Sequence, residues 1–284
     1  MAYRQFRYIL IFIVLIFSWQ GCDSEDPSIN ASRFRLKLTD ATSMLMKEFY
    51  VDIKEISVFL VDSATQEGEW KKLDFPGNHY DILKLMNGKM VQIVDQYLPA
   101  GTELQQIKLL FGSDNRMVVI TDSIKTIPLK LPPGLEDGLV IDAMKMQLQQ
   151  NIISSMVIDL NASLSVFKAA DGSYILNPVA RAFPETYGGK LKGYVSPIAA
   201  SPQIVITLDK DTLFTLPELD PPGDPNSEIG MYQFIGLKEG EWKVHLLPHP
   251  ESGFRDSVFY WKVENGKTAD ITPRPIQLKI RPEE

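Results

Sequence analysis

Cysteine is almost absent: the 284 residues hold one, Cys22, so no disulfide can form within the chain. Histidine is nearly as scarce, with three, and a zinc cluster would have to lean on scattered carboxylates. Basic charge is in deficit. Lys and Arg number 29 against 36 acidic residues, a net −7. Without residues 1–21, which carry Arg4 and Arg7, 27 basic residues face 36 acidic ones, a net −9. A chain this acidic has no electrostatic case for holding nucleic acid. Long apolar runs are missing except for one near the N-terminus, which excludes a polytopic membrane protein. At 44% apolar and 10% aromatic, the chain is not disordered, and it is long enough for one large or two ordinary domains.

That one apolar run carries the address. Arg4 and Arg7 precede Tyr8 to Phe17, and Ser18-Trp19-Gln20-Gly21-Cys22 follows. A membrane-spanning helix needs about 20 apolar residues, so the shorter run reads as a signal-peptide core. The cysteine after Gly21 resembles the lipobox of bacterial lipoproteins, with Trp19 where leucine is usual. The resemblance implies that residues 1–21 are removed and Cys22 becomes the acylated first residue. Asp23, Ser24, Glu25 and Asp26 directly behind it resemble the acidic export signal of Bacteroidetes lipoproteins, which sends them to the outer face of the outer membrane. An acidic, flexible tether over residues 22–32 is the plainer reading of the same run.

Beyond it the dominant period is two. Phe34, Leu36 and Leu38 alternate with charged residues, as a half-buried strand does. Val51 and Ile53 begin another strand, and Ile56, Val58 and Leu60 continue it on the opposite parity. That phase slip at Lys54-Glu55 predicts a β-bulge. Ile107, Leu109 and Phe111, then Met117 to Thr121, flank Gly112-Ser113-Asp114-Asn115, which has the punctuation of a hairpin. Strands are also expected over Val157–Val166 and Tyr174–Ala182, and over Ile141–Gln150 despite its helix-forming composition. One short helix is expected at Ile82–Asn87, with Asp81 as N-cap and Gly88 as the stop. After Pro184–Gly189 the alternation resumes through Leu191, Ile204, Tyr232, Trp242, Phe259 and Ile276 to Ile280. The loop Leu216–Asn226, with four prolines, is expected to be neither strand nor helix. Short strands between turn signals suggest β-sandwiches, and few contacts are expected to cross between the two halves.

Two family resemblances overlie this pattern. Leu38-Thr39-Asp40-Ala41, Tyr80-Asp81-Ile82-Leu83-Lys84-Leu85 with Asn87-Gly88, Leu98-Pro99-Ala100-Gly101, and Tyr174-Ile175-Leu176-Asn177-Pro178-Val179 follow one another in order. With the strand Val51–Leu60, they resemble the family called domain of unknown function 4382, over residues 33–183. Leu191-Lys192-Gly193-Tyr194-Val195, Tyr232-Gln233-Phe234-Ile235-Gly236-Leu237, Glu239-Gly240-Glu241-Trp242-Lys243-Val244 and Val263-Glu264-Asn265-Gly266 resemble the carboxypeptidase regulatory-like, transthyretin-type sandwich, over residues 188–284. The resemblance implies a non-catalytic spacer or adhesion unit. The expected fold is therefore all-β: two β-sandwich domains in tandem after a lipoprotein signal peptide, with one short helix in the first.

Chemistry is sparse. No nucleophile motif is present, and no catalytic residue is assigned. His245 and His249 have the spacing of two ligands on a helix, but Pro248 and Pro250 deny them a helix. Asp220, Asp224, Asn226 and Glu228 put hard oxygen donors, the ligand type of calcium, in one loop, in a spacing unlike the EF-hand. Trp242 and Trp261 alternate with core positions, whereas Trp70 follows a turn and is expected to be exposed. Ser63, Ser123, Thr212 and Ser257, each after Asp, resemble O-glycosylation acceptors of Bacteroidetes exported proteins, though Asp-Ser is also turn chemistry. The first reading is a non-enzymatic, lipid-anchored envelope protein acting in adhesion, ligand capture or assembly. It is expected on the outer membrane and facing the cell surface, or alternatively the periplasm. It would have the membrane as partner through Cys22, a protein or glycan ligand, and no cofactor. The alternatives are a carbohydrate-active hydrolase with a carboxylate pair formed by the fold, and a purely structural spacer.

Overall fold

The computed structural model describes residues 28–41, 46–120 and 124–282. Cys22, the acidic run Asp23–Asp26 and Ser123 lie outside the described residues. Alternating apolar side chains make strands almost throughout. The first unit runs β1 (Ala31–Ala41), β2 (Glu48–Asp62), β3 (Gly68–Lys72), β4 (Asn78–Asp81), β5 (Val91–Pro99), β6 (Thr102–Phe111), β7 (Arg116–Ile120), β8 (Ile124–Lys130), β9 (Leu139–Leu148), β10 (Ile153–Asn161), β11 (Val166–Lys168), β12 (Tyr174–Leu176) and β13 (Ala180–Pro184). The second runs β14 (Gly189–Ser196), β15 (Gln203–Leu208), β16 (Asp211–Thr215), β17 (Glu218–Leu219), β18 (Gly230–Leu237), β19 (Gly240–Leu247), β20 (Ser257–Val263), β21 (Thr268–Asp270) and β22 (Ile276–Gln277). Among the described residues no helix is long and apolar enough to cross a membrane.

The first unit's strands connect in the order β11-β12-β8-β7-β2-β6-β9-β13-β10-β1-β5. They fold over one core, in which Phe34, Leu36 and Leu38 of β1 join Val51, Ile53, Ile56 and Val58 of β2. The phase slip in β2 is a bulge, with the register to β6 shifting between Ile53 and Glu55. β1 pairs parallel with β10 and antiparallel with β5. The second unit is two facing sheets. β17-β18-β14-β21, with β22 also on β14, packs against β16-β15-β19-β20. Leu191, Tyr232, Ile204, Trp242 and Val244 fill the space between them.

Several expected elements differ. β1 begins at Ala31, inside the expected tether, because Ser28–Asn30 is already a turn, with the Ala31 N–H donating to the Ser28 carbonyl. Gly112–Asn115 is no hairpin. Ile53 pairs with Phe111 and Tyr50 with Arg116, so β6 and β7 run in succession along one edge of β2. The extra residues loop out over Asp52. The Asp52 N–H donates to Asn115 Oδ1 at 2.8 Å and Asp52 Oδ2 accepts the Asp114 N–H at 3.1 Å. The short helix is a single 3-10 turn, Ile82–Leu85, and Asp81 does not cap it, because its carboxylate accepts the Phe49 N–H at 3.2 Å. The strand expected to reach Val166 stops at Asn161, whose side chain caps a one-turn helix, Ala162–Ser165. The strand expected over Tyr174–Ala182 is broken between Leu176 and Ala180. The prolyl loop holds one two-residue strand, β17, laid on β18. Leu278 is buried, but Ile280 is 74% exposed beyond the last ladder.

In the second core the Tyr232 hydroxyl is buried without a partner, and burial pushes this phenol well above its ordinary range. Its ring lies against Gly193, where a Cβ would come within 2.3 Å of it. Gly193→Ala should therefore lower stability by about 1–3 kcal/mol through overpacking. Tyr232→Phe should raise it by about 1 kcal/mol by removing an unpaired buried hydroxyl. Urea unfolding of the two variants measures both, and shifts of the same sign would contradict this packing.

Candidate functional site at the junction of the two β units

The first unit reaches across to the second at two places, one around Asn87 and Lys89. Asn87 and Gly88 follow the 3-10 turn, both with positive φ (56° and 76°), which brings the Asn87 amide against the second unit. Its Nδ2 donates to the Leu216 carbonyl at 3.0 Å. Its Oδ1 accepts from the Thr215 hydroxyl at 3.0 Å and from the Gln233 N–H at 3.1 Å. Beside it Lys89 Nζ lies 2.7 Å from both carboxylate oxygens of Glu218.

The other is Arg181 on β13, opposite Asp159 of β10 in register. Its Nε and NH2 meet Asp159 Oδ2 at 2.8 and 2.7 Å. NH1 then donates to the Gly236 carbonyl at 2.8 Å and NH2 to the Ile235 carbonyl at 3.0 Å. Those carbonyls are free because β18 carries an extra residue against β14, where Gly189 pairs with Leu237 but Leu191 with Phe234. Gly236, at φ 60°, makes the bulge, and a Cβ there would lie 2.3 Å from the Phe183 ring. Arg181 stacks on that same ring at 4.8 Å.

Clefts flank this clamp. One of about 420 Å³ is lined by Met144, Leu164, Val179, Lys210, Thr212 and Lys238. The other, about 360 Å³, is lined by Met90, Phe183, Tyr187, Lys190 and Lys267. Asp159 is 6% exposed and its Oδ1 has no protein partner. The clefts offer apolar walls and lysine charge, a surface of the kind that binds a ligand, and the clamp between them ties the two units together.

The residues singled out from sequence scatter. Asp224 Oδ1 accepts the Asn226 N–H at 2.9 Å, while the Asp220 N–H and the Glu228 carbonyl are spent on backbone pairing. Among the described residues no group of three or more His, Cys, Asp or Glu is placed to hold a metal. His245 Nε2 meets Asp256 Oδ2 at 2.8 Å on the outer face of β19, and His249 begins the turn Pro250–Ser252. Ser63 stands on an exposed turn, Thr212 and Ser257 within strands and half-buried. Trp242 is buried and Trp261 packs on the same core. Trp70 is 39% exposed, against Phe59 and under Lys108. Asp159 and Arg181 were not singled out. The signal for the first was a lone acid inside the apolar run Met156–Leu160.

The family model described as Domain of unknown function (DUF4382) matches residues 31–178. No curated protein matches the chain. Among solved structures, a candidate adhesin from Bacteroides ovatus is 11% identical, covering 93% of this chain and 99% of its own, with a TM-score of 0.25. The shaft pilin SpaA from Lactobacillus rhamnosus GG is 8% identical, covering 90% and 99%, at 0.21. A leucine-rich repeat protein from Bacteroides thetaiotaomicron is 12% identical at 0.24, with 88% of this chain covered, and the chain spans 27% of its length. At such scores the likeness carries no argument.

Arg181→Ala strands the buried Asp159 carboxylate and should cost about 3 kcal/mol. Adding Asp159→Asn should recover most of that loss while leaving the units uncoupled. Denaturant unfolding followed separately by tryptophan fluorescence, weighted to the second unit, and by far-UV circular dichroism reads both effects. Coincident, unshifted transitions in Arg181→Ala would refute the clamp.

Proposed function

We propose, for a chain that belongs to the family described as Domain of unknown function (DUF4382), a non-enzymatic, lipid-anchored envelope protein that displays a binding module away from the membrane. In this reading residues 1–21 are a signal peptide, 22–30 a tether carrying acylated Cys22, 31–183 the family domain and 188–284 a transthyretin-like module. Asp23, Ser24, Glu25 and Asp26 direct it to the outer face of an outer membrane. Its role is adhesion, ligand capture or assembly.

One observation carries the reading. β1 starts at Ala31, nine residues after Cys22, and ends where Thr39 and Asp40 line the junction with the second unit. At about 3.3 Å per residue, a strand of this length separates its ends by roughly 30 Å. The tether thus enters at one end of β1, and the hydrogen-bonded junction lies toward the other. The bonded junction supports a fixed, outward presentation. Acyl chains supply anchoring energy, and a short acidic motif is read by export machinery, so the two are separable.

Cys22→Ala should leave the protein unprocessed or free of membranes on fractionation. Replacing Asp23, Glu25 and Asp26 with alanine should keep it membrane-bound but hide it from protease added to intact cells. Protection of the unaltered protein in that assay would reject surface display and leave a periplasm-facing lipoprotein.

A further inference from the structure

The end of the first unit opposite the junction carries four exposed apolar side chains among its polar turn residues. Ile29, Ile152 and Ile153 are 67%, 49% and 53% exposed, and Tyr97 is 41% exposed. The register gathers them. Arg33 of β1 pairs with Ile153 of β10 on one side and Tyr97 of β5 on the other. The Arg33 N–H donates to the Ile152 carbonyl at 3.1 Å, and the Asn151 N–H to the Ala31 carbonyl at 3.2 Å. The Ser32 hydroxyl also donates to the Ile152 carbonyl, at 2.9 Å, so the turn before β10 is fixed to the start of β1. The turn Ser28–Asn30 sets Ile29 at the same end.

The charges beside the patch are paired with one another, Arg33 and Arg35 sharing the carboxylate of Asp95. Arg33 Nε and NH2 donate to the two oxygens of Asp95 at 2.7 and 3.0 Å. Three isoleucines on adjoining, well-bonded segments, each with about half or more of its surface in water, are what a surface with a partner presents. Chain length says which. Ile29 stands seven residues after Cys22, and seven residues reach at most about 25 Å when fully extended. An acylated Cys22 therefore confines this patch to the neighbourhood of the bilayer.

We propose that Ile29, Ile152 and Ile153, with Tyr97 beside them, seat this end of the first unit on the lipid bilayer next to the Cys22 anchor. The inference rests on the lipoprotein reading above. The isoleucines enter the boundary between headgroups and acyl chains, and Tyr97 keeps its hydroxyl at the headgroup level. The protein then stands on the membrane with β1 steep to its plane, rather than swinging freely on its tether.

The test uses the full lipidated chain in vesicles of phosphatidylethanolamine and phosphatidylglycerol. With the Cys22 thiol acylated, Gln149→Cys or Tyr260→Cys supplies the single thiol for a polarity-sensitive fluorophore. At position 149, beside the patch, emission should shift to the blue and be quenched by spin-labelled lipid. At position 260, on the far edge strand of the second unit, neither should occur. Adding Ile29→Glu and Ile153→Glu should bring position 149 to the level of position 260, while the protein still floats with the vesicles. Flotation with position 149 unquenched in the otherwise unaltered chain would overturn the seating and leave the anchor intact. Failure of the unaltered chain to float would overturn the anchor itself, and the seating with it.

Discussion

The placement of the second unit depends on one buried charge in the first. Asp159 lies in β10 between Ile158 and Leu160, both buried, and is itself almost fully shielded from water. An ionised carboxylate in that position costs several kcal/mol unless it is paired. Arg181, its neighbour across the ladder, supplies the pair. A guanidinium carries five donors in a fixed planar fork, and one carboxylate oxygen cannot take them all. Those left over point at the second unit, where the bulge in β18 has freed the Ile235 and Gly236 carbonyls to accept them. A lysine could neutralise Asp159, but it would not define a direction.

Such a clamp orients more than it stabilises. The net gain of a buried ion pair over an apolar substitute is small, and hydrogen bonds add about 1 kcal/mol each. Apolar contact between the units includes Phe183 against Gly236 and Ile235 against Gly88. Asn87 adds a second fixed point away from Arg181, with Oδ1 accepting twice and Nδ2 donating once. Two separated polar contacts resist rotation, which one cannot do. The clefts beside Arg181 border these contacts, so a ligand there would meet a surface that they help to hold in place.

Much of this was legible in the sequence, for a physical reason. Strands with one buried face write a period of two into the chain, so β1, β2, β9, β15 and β19 could be read from alternation, and the bulge in β2 from a change of parity. What alternation does not encode is which strands meet. Gly112–Asn115 has hairpin composition, yet the chain runs on along β2, because Asn115 and Asp52 satisfy the looped-out backbone. Asp81 has cap chemistry, but its carboxylate is taken by a strand far off in sequence. The junction was hidden for the same reason. Asn87-Gly88 reads as the end of a helix, and only the fold brings Thr215 and Gln233 to it. The lone Asp159 in an apolar run was the one local sign that a partner was needed.

The parallel pairing of β1 and β10 makes the two ends of the first unit interdependent. Because the strands run together, the start of β10 lies at the tether end with Ile152 and Ile153, and its finish delivers Asp159 and Asn161 to the junction. A slip of one residue in this register would turn every side chain of β10 to the opposite face. Asp159 would leave Arg181, and Ile158 and Leu160 would leave the core. The apolar end and the charged clamp thus cannot be altered independently by moving the strand, only residue by residue. The buried row Met156, Ile158 and Leu160 fixes the register that holds them both.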